Sequence, residues 1–197
     1  MVTEKQPFLL SLEIDMKFTV FIGVVGLSLL SGLASANPPS PYAGQEARDI
    51  KALSAQEVQD YLAGKGMGLA KAAELNGYPG PMHVLELAES LNLSAEQKAR
   101  TQGLFASMKK NAVDLGRRLI DEERKLDKLF ASRSVSPDTL SASLERIGKL
   151  QAQIRQAHLQ AHLTQTEILS EIQTAKYVEL RGYEGRSKGT DGHSHQH

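Results

Sequence analysis

Residues 137–168 read PDTLSASLERIGKLQAQIRQAHLQAHLTQTEI and contain no proline after the first position. Side chains that recur at spacings of three and four residues lie on one face of an α-helix. Ser136 and Pro137 are suited to the N-cap and first position of that helix. This stretch therefore predicts a long helix with one packed face. The predicted face comprises Leu140, Leu144, Ile147, Gln151, Ile154, His158, Ala161, Gln165 and Ile168.

A second long amphipathic helix is predicted just before the first, over residues 94–131, where no proline occurs. The link between them, residues 133–136, is short, and two long helices joined by a short loop pack as antiparallel neighbours. The sequence thus predicts an all-α fold built on a long antiparallel helical hairpin. A lone hairpin leaves apolar surface exposed, so a homodimer is expected.

Shorter helices are predicted on both sides of the hairpin. A capping box at Ser54 and Glu57 predicts a helix start. Gly64, Gly66 and Gly68 are interpreted as a flexible hinge, because the cluster lacks the Lys-Ser/Thr ending of a phosphate loop. The predicted short helices span residues 54–62, 69–75, 83–91 and 170–181.

Composition excludes several classes of function. The 197 residues carry no net charge, only 5% are aromatic and none is cysteine. Without a basic stripe, nucleic acid is not an expected partner. Without cysteine, thiolate catalysis, disulfides and Cys-based zinc sites are ruled out. The sequence shows no catalytic triad, carboxylate pair or phosphate cradle, so an enzyme is not predicted.

The N-terminal region has the pattern of an export signal. Met16-Lys17 precedes the apolar run 18–33, which ends in Ala34-Ser35-Ala36. This predicts a secretory signal cleaved after Ala36 and a periplasmic protein. A membrane anchor is the alternative, but the run is short for a spanning helix. Acidic residues before Met16 make Met16 a candidate start. The predicted division is signal 1–36, flexible leader 37–52, helical domain 53–183 and disordered tail 184–197.

Two copies of one motif frame the long helices. Each copy reads Leu-Ser-x-x-Gln, with the serine placed to cap a helix and the glutamine to bond back to the cap. From Ala43 to Tyr183 the chain resembles the LTxxQ proteins of the bacterial periplasm, which include the Spy/CpxP chaperones, zinc-resistance-associated proteins and periplasmic heavy-metal sensors. The motif residues are Leu93, Ser94, Gln97, Leu169, Ser170 and Gln173.

This resemblance implies a periplasmic stress-response protein that binds unfolded polypeptides without ATP, through a concave apolar face of a dimer. An envelope-stress signalling protein is the alternative partner. The mixed-sign run 117–128 is interpreted as a solvated face or as a charged rim that attracts clients. Five residues are candidates for either core or client contact: Leu104, Met108, Leu115, Ile147 and Ile154.

The alternative function is a heavy-metal sensor or metal-resistance protein. His158 and His162 are four residues apart, so both imidazoles can reach one divalent ion from a helix. His83 could add a third ligand, with Glu86 as a ligand or as its partner. Nitrogen and oxygen ligands favour Zn, Ni or Co over Cu(I), although no cofactor is obligatory. The competing interpretation is that polar groups of a facing helix satisfy these histidines.

Three further histidines, His193, His195 and His197, alternate at the end of the chain. Such tracts bind divalent metals loosely, and zinc-resistance-associated proteins are similar in having histidine-rich termini. A soluble tail without a role is the alternative. Met67, Met82 and Met108 are interpreted as packing residues rather than ligands.

Overall fold

The structure, a computed structural model, describes residues 40–183. The predicted signal, the start of the leader and the histidine tail lie outside this range. Within it the chain forms helices and no strand, which confirms the predicted all-α class. The helices are α1 Ala55–Leu62, α2 Lys71–Glu74, α3 Pro81–Glu86, α4 Ala95–Ala131, α5 Pro137–Ile168 and α6 Glu171–Leu180.

The long helices have the predicted bounds, whereas the short ones differ. The helix predicted over 69–75 is only the single turn α2. The helix predicted over 83–91 begins earlier, because Pro81 occupies the first turn, where its missing N–H costs nothing. It also ends earlier, at Glu86, and residues 87–92 continue as turns.

The main hydrophobic core lies between α4 and α5. Thr101 near the start of α4 accepts a hydrogen bond from Gln165 near the end of α5. Farther along, Glu122 of α4 accepts one from Arg146 of α5. The side chains buried in this core are Leu115, Leu119, Ile147, Leu150 and Ile154.

The buried face of α5 differs from the predicted one in its first half. Leu144 is 52% exposed and Gln151 is also exposed, whereas Ser143 and Leu150 are buried. A strict pattern of alternating threes and fours repeats every 3.5 residues, but a straight helix has 3.6 residues per turn. The predicted and the observed buried positions therefore coincide from Ile154 to Ile168 and diverge toward the start of α5.

The two Leu-Ser-x-x-Gln motifs meet in space. Both capping boxes form as predicted, with Ser94 accepting from Gln97 N–H and Ser170 from Gln173 N–H. The two glutamine side chains also pair with each other, through Nε2–Oε1 distances of 2.8 and 3.0 Å. Their remaining donors bind the carbonyls of Ile168 and Leu91. The pair therefore joins the starts of α4 and α6 to the end of α5 and the turn before α4.

The segment before α1 is packed rather than free. Ile50 and Leu53 are buried against Ile120 of α4. The amide of Lys51 also donates to the Asp127 carboxylate at 3.2 Å. The predicted flexible leader therefore extends too far along the chain, because its last residues belong to the folded domain. No helix between residues 40 and 183 is both long and apolar enough to cross a membrane.

Candidate metal-binding cavity

A cavity of about 590 Å³ opens between the glycine-containing turns that follow α1, the first turn of α3 and the facing sides of α4 and α5. His83, His158 and His162 all line it. The structure therefore brings together the three histidines that the sequence nominated from two separate segments. Glu86, nominated with them, is not part of the lining.

His158 is buried on α5, with 5% of its surface exposed. Its Nε2 is buried and has no hydrogen-bond partner among the described residues. Desolvation lowers the pKa of His158, and the nearby His162 lowers it further. A buried imidazole that stays neutral and leaves a nitrogen unpaired is unfavourable in a plain core. It is, however, the form of histidine that binds a metal ion.

His162 is held in one orientation. Its Nδ1 lies 2.8 Å from the backbone carbonyl oxygen of Tyr78. A carbonyl only accepts, so Nδ1 carries the proton and the lone pair of the neutral ring is on Nε2. Metal-binding histidines commonly donate their other N–H to a carbonyl in this way.

Gly80 lies directly against the His162 ring. A Cβ at this position would be 2.9 Å from Cε1 and 3.2 Å from Nε2 of that ring. The φ angle of Gly80 is −86°, which any residue can adopt. The glycine is therefore needed for the space it leaves beside the imidazole, not for its backbone conformation.

Glu74, at the end of α2, also lines the cavity. Its Oε1 accepts hydrogen bonds from the Tyr177 hydroxyl at 2.7 Å, the Tyr183 hydroxyl at 3.0 Å and Arg181 Nε at 3.2 Å. Its Oε2 is buried, has no partner among the described residues and lies 3.7 Å from His162 Nδ1. Burial and the bond to this carboxylate raise the pKa of Tyr177, which keeps its hydroxyl a donor.

No sequence pattern singles out Glu74. It lies in a four-residue helix, outside any motif, and 84 positions before His158. Its burial depends on three partners in and after α6. Only the tertiary structure distinguishes it from the other glutamates of short surface helices.

Glu86 has a different environment from Glu74. Its carboxylate is 2.8 Å from His83 Nδ1, and its side chain is 58% exposed. It therefore fits the role of a partner that orients His83 better than the role of a ligand. Both roles were open from the sequence.

Met67, Met82 and Met108 line the same cavity. They come from the turn after α1, from α3 and from α4, so their proximity could not be predicted from sequence spacing. Thioethers fill irregular gaps and are also soft metal ligands. The described residues include no three His, Asp or Glu side chains already placed around one point as metal ligands. Capture of an ion would therefore require side-chain rotation.

A separate groove of about 410 Å³ runs between α4 and α5 and is lined by these two helices alone. Its walls include Leu104 and Met108 and carry no charged residue. The neighbouring stretch of the same helix pair is strongly charged, with Arg118, Asp121 and Lys125 among its lining residues.

Of the five residues proposed for core or client contact, three are core. Leu115, Ile147 and Ile154 are each less than 9% exposed and pack together between α4 and α5. Leu115 also lines the groove between α4 and α5. Leu104 and Met108 are only partly buried and remain candidates.

Comparison with known proteins adds no relative. No family matches the chain, and no curated protein or solved structure is significantly similar to it.

Proposed function

We propose that this protein is an exported, metal-responsive stress protein, related in its working principle to the LTxxQ proteins that its motifs resemble. It binds a divalent transition-metal ion, Zn²⁺ or one of similar preference, in the cavity lined by His83, His158 and His162. The observation that supports this proposal best is that these three histidines, predicted from the sequence as ligands, line one cavity.

Burial and polarity at the cavity support the same proposal. His158 Nε2 and Glu74 Oε2 are buried ligand atoms without partners. A buried polar atom left unpaired costs roughly 1–3 kcal/mol, so a fold tends to retain it only for a purpose. A bound ion would satisfy both atoms. Occupancy would then alter the packing of α2 and α3 on α5, and a signalling partner in the envelope would read that change.

Calorimetric titration with Zn²⁺ and Ni²⁺ tests this proposal. The reference protein is the full chain with its three tail histidines changed to alanine, which removes loose binding at the end of the chain. Against it we compare His162→Asn, in which the amide nitrogen can still donate to the Tyr78 carbonyl but the ligating Nε2 is absent. We expect micromolar or tighter binding in the reference protein and at least a tenfold loss in the variant. Equal or only millimolar binding in both would reject the cavity as a metal site.

A second function, binding of unfolded polypeptides without ATP, is favoured by the groove between α4 and α5. Leu104 and Met108 in its uncharged part could contact apolar segments, and flexible methionine suits a promiscuous surface. The charged stretch beside it would attract clients before apolar contact forms. We propose that the α4–α5 pair is the antiparallel hairpin of a homodimer whose two copies share this surface.

Aggregation assays test the second function independently of metal. The protein should suppress aggregation of an unrelated denatured client at near-stoichiometric ratio, without nucleotide. Changing Leu104, which lines the groove but not the histidine cavity, to serine should weaken suppression. A matched control, Leu163→Ser, alters an exposed leucine outside the groove lining and should leave suppression unchanged. Failure of the unmodified protein to suppress aggregation, with or without Zn²⁺, would exclude this function.

A further inference from the structure

Glu74 is the one carboxylate among the described residues that line the cavity. Its side chain is only 13% exposed. One oxygen, Oε1, is bonded by three donors, and the other, Oε2, by none among residues 40–183. A carboxylate used only to anchor α6 would have no need to bury its second oxygen unpaired, because burying an unbonded polar atom is unfavourable.

The unbonded oxygen lies beside the His162 ring, 3.7 Å from its Nδ1. A Cβ placed on Gly80 would be 3.2 Å from His162 Nε2 and 3.3 Å from Glu74 Oε2. Both atoms therefore face Gly80, in the cavity that His158 also lines. His158 is less than one-tenth exposed and its Nε2 is unpaired. Three potential donors thus come from two elements: a carboxylate from α2 and two imidazoles from α5.

We propose that Glu74, rather than Glu86, is the carboxylate ligand of the metal site, acting with His158 and His162. This inference rests on the proposed metal-binding function and specifies its ligand set. Two imidazoles and one carboxylate, with further positions left open, suit Zn²⁺ and related divalent ions. Met82 and Met108 line the same cavity, and a thioether ligand would shift preference toward softer ions.

A metal ion bound by Glu74 would also affect the end of α6. Tyr177, Arg181 and Tyr183 hold the opposite oxygen of Glu74. They orient the carboxylate as outer-shell partners orient other metal ligands. An ion drawn to Oε2 would fix Glu74, and with it the last turn of α6. Metal occupancy would then be sensed at the C-terminal end of the described domain.

The test measures Zn²⁺ affinity by competition with a chromophoric chelator, in the full chain with its tail histidines changed to alanine. Glu74→Gln keeps an acceptor for the three donors but loses the anionic ligand. Glu89→Gln, which changes an exposed glutamate outside the cavity lining, is the matched control. We expect at least a tenfold loss of affinity in the first and an unchanged affinity in the second.

Other outcomes would reject Glu74 as a ligand, or reject both this ligand and the metal site. Parent-like affinity in Glu74→Gln, together with a loss in His162→Asn, would reject Glu74 as a ligand and leave the proposed metal site intact. No Zn²⁺ binding by the reference protein would reject both. At saturating Co²⁺, a visible spectrum identical in Glu74→Gln and the reference protein would place Glu74 outside the coordination sphere.

If Glu74→Gln does not fold, hydrogen exchange of the reference protein decides. Slower exchange of the amides at the end of α6 on adding Zn²⁺ would support the assignment. Unchanged exchange there, with Zn²⁺ bound, would reject it.

Discussion

Two adjacent glutamates of α4 have opposite electrostatic environments. Glu122 is bonded to Lys125 and Arg146, each at 2.7 Å, and these bonds lower the pKa of its carboxyl. Glu123 is only 9% exposed, and burial raises its pKa. The ionised form is thus favoured by folding at the first position and disfavoured at the second.

Replacing each of these glutamates by glutamine should change the stability of the protein in opposite directions near pH 7. Stability contributed by Glu123 is present below its ordinary pKa of 4.5 and lost as pH rises through the raised value, so Glu123→Gln should be more stable than the parent near pH 7. Stability from Glu122 is present above 4.5 and lost as pH falls through the lowered value. Glu122→Gln should therefore cost about 1 kcal/mol near pH 7.

Urea unfolding of both variants at pH 7 and pH 4 checks these signs. Both differences from the parent should shrink at the lower pH. A Glu123→Gln variant that is less stable than the parent at pH 7 would show that an unrecognised partner supports the charge.

The glutamines of the two Leu-Ser-x-x-Gln motifs make hydrogen bonds that a glutamate could not make. Glutamate would serve as well as glutamine at the third position of a capping box, as Glu57 does beside Ser54. Gln97 and Gln173 additionally donate to each other and to two carbonyls. A carboxylate has no N–H, so it could not replace these bonds.

We therefore expect Gln97→Glu to lower the free energy of unfolding by roughly 2–3 kcal/mol, because it removes the donor to the partly buried Ile168 carbonyl and places a carboxylate oxygen against Gln173 Oε1. Glu57→Gln in the simple box of α1 is the control and should change it by less than about 0.5 kcal/mol. Equal, small effects in the two variants would mean that the motif only caps helices.

At the scale of the elements, glycines in the long helices differ by what surrounds them. A Cβ on Gly116 of α4 would lie 2.7 Å from the carbonyl oxygen of Tyr61, because the end of α1 rests on α4 there. A Cβ on Gly148 of α5 would meet nothing within 4 Å. One glycine enables a helix contact and the other only weakens its helix.

Alanine substitutions should accordingly have opposite effects on stability. Gly148→Ala should stabilise the protein by about 0.5–1 kcal/mol, the helix preference of alanine over glycine. Gly116→Ala gains the same preference but forces α1 away from α4, and should be destabilising by roughly 1–3 kcal/mol. Thermal unfolding of both variants measures the difference. A stabilised Gly116→Ala would show that α1 is loosely attached.

Local patterns predicted the elements better than their contacts. The bounds of α4, α5 and α6 followed from capping serines, Pro137 and apolar spacing, all of which act within a few residues. The cavity, in contrast, depends on contacts between distant parts of the chain. His158 and His162 are adjacent on one helix and were predictable as a pair, whereas Glu74 depends on the docking of α6, about a hundred residues away. The burial of Ile50 likewise needs the surface of α4.

For the molecule as a whole, His158 is a compromise between folding stability and metal binding. His158 lies in the row of buried side chains on α5, where leucine would pack without an unpaired nitrogen. Removing a buried unsatisfied polar atom commonly stabilises a fold. His158→Leu should therefore be more stable than the parent without metal, by roughly 1 kcal/mol, provided that the leucine fits the imidazole space.

Thermal unfolding of the parent and His158→Leu, both with tail histidines changed to alanine, measures whether the buried His158 binds Zn²⁺. With Zn²⁺ at about a hundred times its dissociation constant, a bound ion stabilises by about 2.7 kcal/mol. We expect the parent midpoint to rise by roughly 5–10 °C, and the His158→Leu midpoint, already higher without metal, to stay where it is. A Zn²⁺-induced rise of the same size in both proteins, or in neither, would contradict the metal site.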